Sequence, residues 1–163
     1  TVNPANLQPK EEVPVTTQDD LNSAVDVARK AFRTWLKVLY EDRRSAVLAF
    51  ADAVEQVKTD FRDLLVSEQR KPAADVETDV AIAWIRGLAH IELPEDVIED
   101  DDKRTVITRY VPIGVVGAII PWNFPFHLAA SKITPALLTG NVVIIKPSPV
   151  SPKPPQGERC AWC

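Results

Sequence analysis

The stretch PIGVVGAIIPWNFPFHLAASKITPALLTGNVVIIKPSP, residues 112–149, decides the fold. Val115 to Ile120 is a continuous apolar run, the pattern of a strand buried on both faces. Pro121 stops it, and Trp122-Asn123-Phe124 forms a loop. Pro125 suits the first turn of a helix, because its missing N–H is not needed there; the helix continues through Leu138. Gly140-Asn141 supplies the turn that closes it. Val142 to Ile145 is a second apolar strand, ended by Lys146-Pro147. Strand, helix and strand at this spacing predict a βαβ unit with parallel strands and a right-handed crossover.

Units of this kind bind ligands beyond the carboxyl ends of their strands, and two unusual polar residues fall there. Asn123 follows the first strand beside the helix N-terminus, where an amide donor stabilises negative charge. Lys146 ends the second strand, within reach of ribose hydroxyls or a phosphate. The glycine-rich fingerprint of dinucleotide-binding turns is absent. From the residues alone two readings stay open: a nucleotide or anion site, or a helix cap at Asn123 and a solvated strand end at Lys146.

Upstream the period is helical. Thr17 with Asp20 forms a capping box with aspartate in place of glutamate. Behind it Leu21, Val25, Ala28, Phe32, Trp35 and Leu39 recur at helical spacing, predicting a first helix to about Trp35. A second is expected over 41–58, with Val47, Phe50, Ala51 and Val54 on one face. Phe61, Leu64 and Leu65 carry the stripe into a third, which stops before Pro72. A fourth is expected over 73–91, with Val76, Val80, Trp84, Leu88 and Ile91 as its buried face. The aromatic residues in these helices are read as core. Glu95 to Asp102, with six carboxylates in eight residues, is read as a solvated loop, since no glycine turn or ligand spacing marks a cation site. Thr105 to Val111 is a β-branched strand. Before all of these, Val2 to Thr16 with its three prolines reads as an edge hairpin or extended arm.

Composition sets the outer limits. The chain has 163 residues, 45% of them apolar and 26% charged, with a net charge of −4. That is ordinary for a globular protein and disfavours a nucleic-acid footprint. The longest apolar run, Val111 to Ile120, is broken by Pro112 and two glycines and is too short to span a membrane. No secretory signal opens the chain, so a cytoplasmic protein is expected. The two cysteines, Cys160 and Cys163, share a redox or metal spacing but lack further ligands and a folded context; an accident of the tail is the favoured reading, and no metal site is expected.

Pro121-Trp122-Asn123-Phe124-Pro125, Lys132, Pro135-Ala136-Leu137, Gly140-Asn141 and Lys146-Pro147-Ser148 together resemble the aldehyde dehydrogenase family. Val2-Asn3-Pro4-Ala5, Val13-Pro14-Val15 and Ala31-Phe32 with Trp35 extend the likeness, which covers nearly everything from Val2 to Pro152. The resemblance implies an α/β fold: N-terminal helices plus a partial Rossmann-like parallel sheet. In that frame residues 1–102 are the arm and helices of the cofactor-binding domain, 103–111 a strand of the kind that joins subunits, 112–150 the βαβ unit, and 151–163 a disordered tail foreign to the family. The implied reaction is NAD- or NADP-dependent oxidation of an aldehyde to a carboxylic acid. A cysteine thiolate attacks the aldehyde, hydride passes to the nicotinamide, and a glutamate-activated water releases the acid.

The resemblance assigns Asn123 to the oxyanion of the adduct. It places Ile119, Ile120, Pro121, Trp122, Lys146 and Ser148 at the cofactor, with Lys146 on a ribose, and Phe124 beside the aldehyde. Lys132 matches a lysine on the helix behind the asparagine, with a structural salt bridge as the alternative role. Arg70 stands where the family favours glycine, and Pro149 where many members carry a ribose-binding glutamate. Neither cysteine lies in the family's nucleophile context. The expectation is therefore an N-terminal portion of such an enzyme, ending before the nucleophilic cysteine and base glutamate and inactive by itself. The alternative is a non-catalytic fragment that associates with itself or with a full-length homologue; strand edges and apolar helix faces left uncovered make association expected.

Overall fold

A computed structural model describes Gln8, residues 15–69 and residues 74–148. The N-terminal arm, Arg70, Pro149 and the tail with Cys160 and Cys163 lie outside the described residues. Five helices and four strands are present among those described: α1 (Gln18–Trp35), α2 (Tyr40–Gln56), α3 (Lys58–Gln69), α4 (Ala74–Leu88), β1 (Glu95–Asp100), β2 (Thr105–Arg109), β3 (Val115–Ile119), α5 (Pro125–Leu138) and β4 (Val142–Lys146). The four N-terminal helices and the βαβ unit fall where the sequence places them.

Helix α1 begins at the anticipated capping box. The Asp20 amide donates to Thr17 Oγ1 at 3.2 Å, and the Thr17 amide donates back to Asp20 Oδ2 at 2.9 Å. Two orphan donors of the first turn are thus satisfied reciprocally. Of the apolar stripe, Ala28 is buried whereas Leu21 and Leu39 are exposed. In α2 the expected face is correct: Val47, Ala51 and Val54 are buried and Phe50 packs against them.

Helix α4 corrects the sequence reading. Val76, Val80, Ile91 and Trp84, the last at 47% exposure, face outward, and only Leu88 of the expected stripe packs on the core. The buried face is Ala74, Glu77, Thr78, Ala81, Ile82 and Ile85. The reason is close packing. Helix α4 makes its most extensive helix–helix contact with α5, and the face it buries mixes small side chains with Ile82 and Ile85. The core therefore runs from Val47, Ala51 and Val54 through Ala81 and Ile85 to Phe126 and Ala130.

The acidic stretch is a strand and not a loop. Strand β1 pairs antiparallel with β2, Glu95 opposite Arg109 and Asp100 opposite Thr105, with a register shift between Val97 and Glu99. Opposite charges meet across the ribbon: Arg109 lies 3.6 Å from Glu95, and Arg104 lies 2.6 Å from Glu99. At the turn, Asp101 Oδ1 accepts from the Lys103 and Arg104 amides, and those bonds hold its carboxyl below the usual range.

Strands β3 and β4 are parallel and in register from Val115↔Val142 to Ile119↔Lys146. Helices α1 and α5 both pack on this pair. β3 is not covered on both faces, as its apolar run suggested: Ala118 is buried, but Gly117 is exposed and Ile119 is 79% exposed. The closing turn uses Gly140 at φ +81, a conformation glycine adopts without penalty. Beside it the buried Asn141 accepts from the Ile113 and Gly114 amides at 2.7 and 2.9 Å, and its Nδ2 donates to Thr139 Oγ1 at 2.8 Å. Arg43, buried on α2, reaches the same corner and donates to the Leu138 and Val38 carbonyls. These bonds fix how the chain enters β3 and leaves α5.

Candidate functional site

The site is built at the carboxyl ends of β3 and β4. Ile119 and Lys146 are register partners, and the Ile120 amide donates to the Lys146 carbonyl at 3.0 Å. The loop 121–124 thus leaves β3 directly beside the end of β4. Pro121, Trp122, Asn123 and Lys146 are all exposed there. Trp122, at 61% exposure, and Ile119 give an open apolar border. Lys146 is joined to no carboxylate among the described residues.

Phe124 is the N-cap of α5 and its side chain offers no acceptor; no side-chain cap bond is made from that position. Asn123 sits one residue before that cap and has a partner of its own. Pro125 follows at the first helical position. The helix end is satisfied from a distance instead. Glu77 of α4, 1% exposed, accepts through Oε1 from the Phe126 amide at 2.9 Å and the His127 amide at 3.2 Å. The positive end of the α5 dipole is therefore already occupied by a carboxylate. Asn123, the amide that the sequence reading placed beside this helix end, lies exposed one residue before the cap.

Three further contacts hold the loop. Gln69 Nε2, at the end of α3, donates to the Trp122 carbonyl at 2.5 Å. The Phe61 and Phe126 rings stack with centroids 4.5 Å apart, and Trp84 meets His127 edge-on at 5.7 Å. The remaining site residues are less alike. The Ile120 side chain is 3% exposed and belongs to the core, so only its backbone faces the strand ends. Ser148 is buried and has a bonding partner. Lys132 is exposed on α5 and forms no ion pair with a described residue. With Ser131, Pro135 and the β3 edge it lines a shallow open trough of about 500 Å³.

Sequence reasoning missed Glu77, Gln69 and Arg43, and named Asn141 only as part of the closing turn. A signal for Glu77 was available: it is a lone carboxylate set among Ala74, Thr78, Ala81 and Ile85, on a small-residue face at helical spacing. Charges on such a face are paired or bonded when buried.

Comparison with known proteins identifies the family. The profile of the aldehyde dehydrogenase family matches residues 1–154. The chain is 40% identical over 142 residues to the aldehyde dehydrogenase LUC3 of a Fusarium species, covering 86% of this chain and 30% of that one. To the D-glyceraldehyde dehydrogenase (NADP(+)) of Picrophilus torridus it is 34% identical over 155 residues, covering 92% and 31%. The crystal structure of the glyceraldehyde-3-phosphate dehydrogenase GapN of Methanocaldococcus jannaschii, complexed with NADP, superposes with a TM-score of 0.85 at 32% identity. It covers 90% of this chain and 33% of that one. The chain spans about a third of the length of the relatives it matches. With a family profile matched along nearly its whole length, on a partial Rossmann-like α/β fold, the chain belongs to the aldehyde dehydrogenase family.

Proposed function

We propose that this chain carries the part of an NAD(P)-dependent aldehyde dehydrogenase site that receives the cofactor and the substrate oxygen. The full reaction converts an aldehyde, NAD(P)+ and water to a carboxylic acid, NAD(P)H and a proton. The observation that carries the reading is the register of the two strand ends. It sets the Trp122-Asn123 loop and the exposed Lys146 at one edge of a parallel βαβ unit, the position at which such sheets take nucleotides.

The donor set fits the group. Lys146 offers ammonium donors to ribose hydroxyls or phosphate, and the exposed Ile119, Pro121 and Trp122 offer apolar surface to rings. Ser148, buried just past the end of β4 and already partnered, backs the strand end. When bound, the nicotinamide supplies the hydride acceptor. The chain's own residues bind and orient. Asn123 Nδ2 donates to the oxygen that becomes negative as the aldehyde carbon turns tetrahedral. Phe124, half exposed at the loop's end, packs beside the organic part of the aldehyde. Cys160 and Cys163 take no part in this reading.

The test is titration of the isotope-labelled chain with NADP+ and with NAD+, followed by backbone and side-chain NMR. A saturable response at Ile119, Trp122 and Lys146 is expected. Lys146→Ala should weaken it about tenfold, the worth of one charge-assisted hydrogen bond. A response elsewhere, or none on substituting Lys146, refutes the assignment. A second reading, a fragment that pairs with itself or a homologue, is favoured by the β1–β2 ribbon, which exposes Val97, Ile98, Val106 and Ile107.

A further inference from the structure

We infer that Glu77 is a positioning residue. Its buried carboxylate closes the N-terminus of α5 and thereby fixes the loop that presents Asn123. The inference rests on the reading of Asn123 given above and adds to it the group that holds the asparagine in place.

The argument starts from what a helix N-terminus requires. Its first amides have no partner within the helix and are normally met by a Ser, Thr, Asp or Asn at the N-cap. Here that position is Phe124, which has no acceptor, and the next residue is Pro125, which has no donor. Two amides, Phe126 and His127, would otherwise be left open toward the strand ends, beside Asn123. Glu77 takes both with one oxygen, at 2.9 and 3.2 Å. The cap comes from α4, a neighbouring helix 49 positions earlier for the first of these bonds. The N-cap position is thereby freed for an aromatic side chain.

Burying a carboxylate is costly unless its charge is met. A side chain that served packing alone would be apolar on this face, among Ala74, Ala81 and Ile85. A carboxylate against a helix N-terminus is met by the amides and by the dipole together. Two consequences follow. First, the loop 121–124 is pinned behind by Glu77, ahead by the Ile120–Lys146 bond and between by Gln69 on the Trp122 carbonyl. Asn123 therefore leaves a backbone held on both sides. Second, the α5 amides are closed to other anions. A phosphate or carboxylate entering the site is not captured at the helix end and is left to Lys146 and Asn123.

The experiment compares the wild-type chain with Glu77→Gln and Glu77→Ala by amide NMR and hydrogen exchange, with formate as the probe anion. Glutamine keeps an oxygen acceptor at the same reach. Glu77→Gln should hold the Phe126 and His127 amides within about threefold of wild-type exchange and leave the Asn123 side-chain and Trp122 indole resonances in place. Glu77→Ala should raise exchange of both amides at least tenfold and move those two resonances. Added formate should then bind the vacated helix end and restore them, a rescue that a purely packing role would not show. Wild-type amides should not respond to formate.

The inference is overturned if Glu77→Ala leaves Asn123 and Trp122 unmoved, if Glu77→Gln displaces them, or if formate shifts the wild-type amides. Should Glu77→Ala fail to fold, Glu77→Gln and the wild-type formate titration still decide. None of these readouts uses a nicotinamide cofactor. Failure of NADP+ to reach Lys146 would sink the proposed function and leave this result standing, and the reverse also holds.

Discussion

Substituting Gly140 by alanine should destabilise the chain by about 2–4 kcal/mol, for two separable reasons. Its φ of +81 lies in the left-handed region, which costs a non-glycine residue roughly 1–2 kcal/mol. An added Cβ would also lie 2.9 Å from Pro112 Cγ and 3.1 Å from Arg43 Nη1. Neither neighbour yields easily. The proline ring is rigid, and the Arg43 guanidinium is tied to the Leu138 and Val38 carbonyls at 3.0 and 2.7 Å. Overpacking of this kind adds about 1–3 kcal/mol, offset by about 0.4–1 kcal/mol from a stiffer unfolded chain. The measurement is urea denaturation followed by circular dichroism, where the midpoint should fall by roughly 1 M or more at unchanged slope. Two other glycines separate the contributions. Gly114, at φ +121, has nothing within 4 Å of an added Cβ, so Gly114→Ala should cost the strain alone, about 1–2 kcal/mol. Gly87, near the end of α4, is equally free of contacts and has no positive φ; Gly87→Ala should stabilise by about 0.5 kcal/mol. If Gly140→Ala proved no worse than Gly114→Ala, the contact with Pro112 and Arg43 would carry no energy and the reasoning would fail.

Two further outcomes are expected. Asp20 is held below its ordinary pKa, first by the Thr17 side-chain bond and then by the Thr17 backbone bond, so the stability it lends α1 is complete above the unfolded aspartate value of about 4 and is lost as the pH falls through the lower folded one. Acid titration should fray the first turn of α1 in that window, and Asp20→Asn should remove the pH dependence; fraying at the same pH in Asp20→Asn would assign it to another group. The exposed Val76, Val80 and Trp84 on α4, with Ile113, Ile119 and Tyr110, leave enough apolar surface for the isolated chain to bind a hydrophobic dye and to elute above its monomer mass; a sharp monomeric melt with low dye binding would contradict this.

The βαβ unit was legible because its punctuation is local. Pro121, Pro125 and Gly140 mark boundaries through backbone chemistry that does not depend on neighbours, and β3, α5 and β4 start and stop beside them. The capping box at Thr17 is legible for the same reason. What the sequence misled on depends on partners. In α4 the stripe Val76, Val80 and Trp84 suggested the buried face, but the helix turns Ala74, Glu77, Thr78, Ala81, Ile82 and Ile85 inward and packs most extensively on α5. The acidic run over β1 has little strand character of its own; pairing with the β-branched β2 and with Arg104 and Arg109 makes it a strand. In both cases periodicity reported the chain's chemistry while the structure answered to what lay opposite.

The same distinction applies to the site. Asn123 and Lys146 could be proposed because each lies at an end that a proline or a strand boundary announces. Glu77 could not be found by that route, since the group it serves is 49 residues away and its own surroundings read as helix core. Yet the local signals at 124–125 leave an open question: an N-cap without an acceptor, followed by a proline, predicts two orphan amides at Phe126 and His127. Buried donors are met almost without exception, so such a sequence implies an acceptor elsewhere in the chain. The search then narrows to polar residues isolated on apolar helix faces. Glu77 on α4 and Arg43 on α2, which meets the Leu138 carbonyl at the opposite end of α5, both fit that description. The helix carrying the Asn123 loop is thus satisfied at its two ends by opposite charges from two different helices, each sign matched to the pole of the dipole it faces.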